Sequence, residues 1–360
     1  MVEKFRERVI GCLVGGAVGD ALGAPYEFAR WPSIQAAVGP AGIDSMLPPG
    51  HFTDDTQMTL FTCEGLLNAG IQMEKWGTCH PPSTLHLSYL RWLTTQGVPW
   101  EEVARYSEHL GGWLVHERRL NRREAPGTTC LNALQSGQLG RVNAPINDSK
   151  GCGGIMRAAP AGFLVPGIPV GASPPEAYIL GCEVAAVTHG HPDGLHAAGV
   201  LAALVCATFA GSTVLDAATC AAELTTPQIA EVIARALEVG ALGPPSPDVI
   251  DTELGEGWVA DEALGIALAC AVGAESLEQG VLAAVNHSGD TDSTGAICGN
   301  ILGALHGAEA IPASWTSALD SIDIVMAVAE DCVAWLSIQA DVADPDPIEL
   351  ERLVKRYASL

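Results

Sequence analysis

Two short acidic clusters are where this 360-residue chain could do chemistry: Thr53-Asp54-Asp55-Thr56 near the N-terminus, and Ser288-Gly289-Asp290-Thr291-Asp292-Ser293 in the last quarter. Each interleaves carboxylates with hydroxyls, the hard oxygen donors that Mg²⁺, Mn²⁺ or Ca²⁺ prefer, and neither holds a His or Cys that would favour zinc. A Thr or Asp just ahead of the apolar run 58–67 would also serve as a helix N-cap. Capping needs one such residue, whereas adjacent carboxylates repel each other unless a cation or an arginine intervenes. In the second cluster Gly289 permits a turn that brings Asp290 and Asp292 within reach of one ion, a D-x-D pattern that glycosyltransferases and phosphatases also use. United by the fold, the two clusters would make a two-metal site.

Four further segments carry groups suited to binding. Glu27 sits in Gly23-Ala24-Pro25-Tyr26-Glu27-Phe28, and the loop Gly151-Cys152-Gly153-Gly154-Ile155-Met156-Arg157 could cradle a diphosphate on its backbone N–H groups. His189 and His191, in Thr188-His189-Gly190-His191-Pro192, have the spacing of a zinc pair. No third His or Cys motif completes that site, so a ligand contact or a loop hydrogen bond is the better reading. Trp258, in Gly255-Glu256-Gly257-Trp258, could stack on a base, but the sequence alone favours a place in the core.

The elements that must position these groups read as helices. Gly11, Gly15, Gly19 and Gly23 recur every four residues, and Gly295, Gly299, Gly303 and Gly307 repeat the pattern after the second cluster. A stripe at that spacing is one ridge of a helix, and glycine there admits a second backbone. Glycine costs a helix about 1 kcal/mol relative to alanine, so two such stripes imply that each packs on the other. Asp20 and Asn300 interrupt the apolar runs, which speaks against a membrane dimerisation motif. Helical periodicity covers 4–22, 56–69, 83–96, 100–115, 129–137, 176–188, 195–210, 228–239, 259–272, 276–285, 293–306 and 322–339, with Pro- and Gly-rich turns between. An all-α fold follows.

At 48% hydrophobic and 5% aromatic, the chain can bury a large core of closely packed, small-residue helices. The linker-like stretch 240–257 separates the two clusters, so it is read as an internal loop of one domain spanning 1–340; an acidic tail and a short helix occupy 341–360. A net charge of −24 argues against nucleic acid or an anionic membrane as a partner, while leaving room for a small anion held by metals or helix N-termini. The 11 scattered cysteines contain no C-x-x-C pair and suit reduced thiols in a cytoplasmic protein. The N-terminus mixes acidic residues and glycines into its apolar stretch and lacks a cleavage site, unlike a signal peptide.

Taken together, GCLVGGAVGDALGAPYEF, FTDDTQMTL, SKGCGGIMRAAPAG, THGHP, GEGWVADEAL and HSGDTDSTGAICGNILGALHG resemble, in order and across residues 10–308, the ADP-ribosylglycohydrolase family. The resemblance implies an all-α domain, a monomer, with a central cleft holding two Mg²⁺ or Mn²⁺ ions on Thr53, Asp54, Asp55, Asp290, Asp292 and Ser293. Ser293 stands where many members carry Thr, and both offer a hydroxyl. Gly151, Cys152, Gly153, Gly154, Met156, Arg157, His189 and Trp258 would lie along the ADP-ribose, with Cys152 replacing an Asn found in some relatives.

Hydrolysis through an oxocarbenium-like transition state would follow, with Asp55 as the candidate base and Glu27, on a loop beside the metals, as the alternative base or acid. The HSGDTDST form of the second motif is closest to the arginine-directed branch. The implied partner is therefore a protein ADP-ribosylated on arginine, including a target of an ADP-ribosylating toxin, and the product ADP-ribose. Other ADP-ribosyl linkages, an inactive relative and a metal-dependent phosphatase are the competing readings.

Overall fold

The computed structural model describes residues 2–103, 111–168, 171–340 and 346–357. Among them there is no strand, only the isolated bridges Gly50–Leu319, Arg141–Ala144 and Gly151–Val259. The helices are α1 (Val2–Gly23), α2 (Trp31–Val38), α3 (Asp54–Trp76), α4 (Pro81–Thr95), α5 (Trp100–Val103), α6 (Thr128–Ser136), α7 (Pro174–Ala186), α8 (Pro192–Ala210), α9 (Val214–Ala222), α10 (Pro227–Gly240), α11 (Pro247–Glu253), α12 (Ala260–Gly273), α13 (Leu277–Val285), α14 (Thr291–His306), α15 (Ala313–Ala318), α16 (Ile322–Ala340) and α17 (Pro347–Tyr357).

At the centre lie α1 and α14, antiparallel and interlocked through the two glycine stripes. A Cβ added to Gly15 would fall on the Gly299 carbonyl oxygen, one on Gly19 on that of Gly295, and one on Gly11 on that of Gly303; the collisions are reciprocal. Backbone thus meets backbone at three successive levels, the close approach that the sequence spacing implies. Asn300, which interrupts the apolar run beside the stripe, donates from Nδ2 to the Cys12 carbonyl at 2.7 Å and so pins the register. Helix α16 covers α1, α13 and α12 cover α14, α8 packs on both α7 and α14, and α3 lies against α4 and α16. Phe5–Tyr26 and Pro192–Ala210 are long and apolar enough to cross a bilayer, but most of their residues are buried within this protein.

Helix α3 begins earlier and ends later than its periodicity suggests, because Thr53 caps its start and Gly77, at φ 68°, ends it; the polar residues inside it have buried partners. Glu64 accepts from Arg91 Nε at 2.7 Å, and Asn68 donates to the Tyr357 carbonyl at 2.9 Å. Of the expected helix 100–115, Trp100–Val103 forms α5, residues 104–110 lie outside those described, and the last part is not α-helical: Gly112, at φ 88°, precedes a 3₁₀ turn Leu114–His116. Helices α2, α9, α11 and α15 are short and escape a periodicity search; α11 lies inside the stretch expected to be a loop.

The acidic stretch 341–345 lies outside the described residues. The short helix after it, α17, docks on α3 and α16 with Leu353 and Tyr357 fully buried. Asp331 in α16 is its anchor: it accepts from Tyr357 Oη at 2.5 Å and pairs with Arg352 at 2.6 Å and Arg356 at 3.0 Å. Removing one partner of a buried pair strands the others, although both guanidinium groups here keep contact with solvent. Asp331→Ala is therefore expected to lower unfolding stability by about 2 kcal/mol in urea titration; a loss below about 0.5 kcal/mol would mean that apolar packing alone holds α17.

Candidate active site

The end of α1 brings the two acidic clusters together. Asp20, near its C-terminus, accepts from the Thr53 N–H at 2.9 Å, from the Thr56 N–H at 3.0 Å and from the Thr56 hydroxyl at 2.5 Å, tying the start of α3 to α1. Thr291 Oγ1 donates to the Gly23 carbonyl at 2.9 Å, tying the start of α14 to the same end. Thr53 is the N-cap of α3, its Oγ1 accepting from the Asp55 N–H at 3.3 Å, and Asp290 is the N-cap of α14, accepting from the Ser293 N–H at 3.4 Å. The capping reading of these residues is thus met, and it leaves most of their oxygens uncommitted. Two helix N-termini, each favouring negative charge, converge with their first-turn carboxylates.

Those carboxylates are crowded and buried. Desolvation, with repulsion from Asp292, raises Asp20 to about 7 and Glu27 to about 9. Desolvation raises Asp54 to about 8 against an opposing hydrogen bond from the Gly127 N–H at 3.1 Å, with Asp292 adding to the rise. Burial followed by repulsion from Asp292 holds Asp55 and Asp290 well above the ordinary carboxylate range, and burial raises Asp292 itself. Asp55 Oδ1, Asp290 Oδ2 and Asp292 Oδ1 are buried with no hydrogen-bond partner. Stranded anionic oxygens of this kind suit a hard cation. As they stand, no three His, Cys, Asp or Glu side chains among the described residues are disposed to hold one ion, so a full ligand set would draw on the hydroxyls of Thr53 and Ser293 as well.

A pH dependence follows. A carboxylate raised on folding binds more protons in the folded than in the unfolded chain between its two values, so stability falls as pH rises through that window. With unfolded values near 4 and folded values of about 7, 8 and 9 for Asp20, Asp54 and Glu27, the chelator-treated protein should melt highest near pH 5 and progressively lower toward pH 9. A melting temperature that climbs across that range would show that the cluster is not strained.

Above the cluster lies a cleft of about 290 Å³ walled by Glu27 and Phe28, Ala125–Cys130, Gly151–Gly153, Met156, His189 and Trp258. The loop 151–153 is held by the Cys152 N–H donating to the Trp258 carbonyl at 3.2 Å, and burial together with Asp290 keeps the Cys152 thiol protonated. Trp258 is not in the core, as the sequence alone favoured. It stands half-exposed at the rim, its indole N–H on Glu256 at 3.1 Å and its ring stacked on Phe28 at 5.1 Å and 19°. Phe28 is 72% exposed and has φ 68°, a left-handed conformation uncommon for a bulky residue. His189 lines the cleft and is kept neutral, lowered to about 3 by burial and by Arg157.

Other expected site residues lie elsewhere. His191 caps α8, its Nδ1 accepting from the Asp193 N–H at 3.1 Å, and so does not converge with His189. Gly154 packs behind the wall against Ala185. Arg157 does not reach the cleft: fully buried, its guanidinium stacks over the Tyr89 ring at 4.3 Å and donates to Val184 O and Thr188 Oγ1. Sequence reasoning missed Asp20 as a bridge, although a lone charge in a glycine helix was the available signal. It also missed Asp251 of α11, which accepts from Ser288 N–H at 2.9 Å and Ser288 Oγ at 2.6 Å and steadies the second cluster. A roomier depression of about 410 Å³ between α10, α11 and α12 holds none of the acidic clusters, and Arg235 there is paired with Glu238 and Glu253.

The fold has counterparts among known proteins. The sequence profile of the ADP-ribosylglycohydrolase family matches residues 1–343. The chain is 27% identical over 324 residues to the ADP-ribosyl-[dinitrogen reductase] glycohydrolase of Rhodospirillum rubrum, covering 88% of this chain and 92% of that protein. It is 24% identical over 332 residues to the ADP-ribosylarginine hydrolase Tri1 of Serratia proteamaculans, covering 90% of this chain and 78% of that protein. Among solved structures, one described as an ADP-ribosylglycohydrolase-related protein complex superposes with a TM-score of 0.62 at 25% identity, over 94% of this chain and 99% of that one.

Proposed function

The chain belongs to the ADP-ribosylglycohydrolase family, and on that premise we propose that it releases ADP-ribose from proteins ADP-ribosylated on arginine, with two divalent cations held on the paired acidic clusters. The observation that carries this reading is the set of three partnerless buried carboxylate oxygens, Asp55 Oδ1, Asp290 Oδ2 and Asp292 Oδ1, at the floor of the cleft. Their chemistry fits Mg²⁺ or Mn²⁺, held by Asp54, Asp55, Asp290 and Asp292 with Thr53 and Ser293. Bound there, such ions would supply positive charge against the ribose hydroxyls and the reacting centre. The arginine linkage is supported by the form of the second motif, HSGDTDST, and by the arginine hydrolase among the relatives.

Hydrolysis breaks the bond from C1″ of the ribose to the guanidino nitrogen, placing the water oxygen on C1″ and its proton on the departing guanidine. Asp55 is the candidate to take the proton from water. Glu27, on the loop over the cluster and raised to about 9 without a cation, is suited to hold a proton for the leaving group. Phe28 and Trp258 stack at the rim, where they would limit water around the reacting bond of a bound substrate.

The test is incubation with ADP-ribosylarginine and ADP-ribosylserine peptides in Mg²⁺, Mn²⁺ and chelator, with products read by mass spectrometry. Free ADP-ribose from the arginine peptide, lost on chelation, is the expected result. Release from the serine peptide alone would reassign the linkage, and undiminished release in chelator would remove the cations from the mechanism.

A further inference from the structure

Arg157 is an unusual residue to find fully buried. Among the described residues no carboxylate pairs with it. Its Nη1 faces the sulfurs of Met58 at 3.3 Å and Cys130 at 3.4 Å, and its Nη2 donates to the Val184 carbonyl at 3.2 Å and to Thr188 Oγ1 at 2.6 Å. Burying a cation without a counter-charge is costly, which calls for a use. Thr188 Oγ1 in turn lies 2.8 Å from His189 Nδ1, and the far side of the His189 ring faces Gly151 and Gly153 in the cleft.

The donor count fixes the direction of this chain. A guanidinium only donates, so Thr188 Oγ1 accepts from Arg157, and its one hydrogen must go to another acceptor. The imidazole Nδ1 is a far stronger acceptor than the neighbouring Cys130 sulfur. A hydroxyl donating to Nδ1 leaves the ring proton on Nε2. We propose that Arg157 and Thr188 form a positioning relay that fixes His189 as the neutral Nε2–H tautomer, so that the cleft beside Gly151 and Gly153 presents a hydrogen-bond donor and receives an acceptor oxygen of the ligand.

The identity of that ligand as an ADP-ribosyl group rests on the function proposed above; the tautomer does not. Arg157, expected from the sequence to touch the ligand, acts from behind, through Thr188.

Long-range ¹H–¹⁵N correlation on histidine-labelled protein reads the relay directly, with the His189 signals assigned by their absence in His189→Gln. The expected spectrum shows a single tautomer protonated at Nε2, retained in Thr188→Ser and mixed in Thr188→Val. Protonation at Nδ1 in the parent protein, or an unchanged tautomer in Thr188→Val, overturns the proposal, and the parent spectrum decides even if the valine variant fails to fold. Calorimetry with ADP-ribose and Mg²⁺ should show binding weakened about fivefold to tenfold in Thr188→Val and recovered in Thr188→Ser, the size of one hydrogen bond. A parent protein with the expected tautomer that binds no ADP-ribose would sink the proposed function and leave the relay standing.

Discussion

Asp292→Asn is expected to yield a protein that melts higher than the parent in chelator at pH 8 and turns over at least about a thousandfold more slowly, a loss of roughly 4 kcal/mol of transition-state stabilisation. Both effects have one cause. Asp292 is the charge that repels all five neighbouring acids, Asp20, Glu27, Asp54, Asp55 and Asp290. Neutralising it relieves them and so stabilises the cation-free fold, while removing an oxygen, Oδ1, that has no partner in the protein. Asparagine keeps the shape and the start of α14, since the cap there is Asp290. Sites that hold charge against its own repulsion give up stability for activity. Release of ADP-ribose within tenfold of the parent, or a melting temperature that falls, would show that the cluster is structural.

Gly299→Ala should cost about 2 kcal/mol or more of unfolding stability although alanine is the better helix former by about 1 kcal/mol. The new methyl would fall on the Gly15 carbonyl, a backbone atom that cannot step aside without separating α1 from α14. Gly265→Ala is the control. Its Cβ would meet only the flexible Val232 side chain at 3.3 Å, so propensity and packing nearly cancel there. Urea titration of the two variants decides the matter: similar losses at both positions would mean that the interlock is no tighter than ordinary helix packing. Because α1 carries Asp20 and Gly23, which tie down the starts of both α3 and α14, the Gly299 variant should also lose activity under conditions where it remains folded.

Much of this was legible in the sequence because the signals were periodic or densely polar. The glycine stripes specified not only two helices but their contact, since eight glycines at that spacing in apolar helices serve little else. The clusters at 53–56 and 288–293 announced themselves by placing more carboxylate than a cap requires. Illegible features depend on three-dimensional partners. Arg157 lies in a motif of which Gly151, Cys152, Gly153 and Met156 line the cleft, and only the positions of Tyr89, Val184 and Thr188 reveal that it points away from it. Asp251 steadies Ser288 from a seven-residue helix too short for periodicity to register. Phe28 looks in sequence like one more apolar residue after Glu27, and its left-handed backbone and its stack on Trp258 arise from the loop's path.

The interlocked glycine pairs also set a clock. Gly11 and its partner Gly303 are separated by about 290 residues, so a ribosome adding about 5–20 residues per second needs roughly 15–60 s after making α1 before it makes the surface α1 must meet. Throughout that interval α1 lacks the helix with which its backbone interlocks, and the groove that α14 fills stays uncovered. The acidic residues that gather at its end cannot come together in any nascent fragment that lacks Asp290 and Asp292. The proposed activity would therefore arise late in the life of each molecule, once the last quarter of the chain is made.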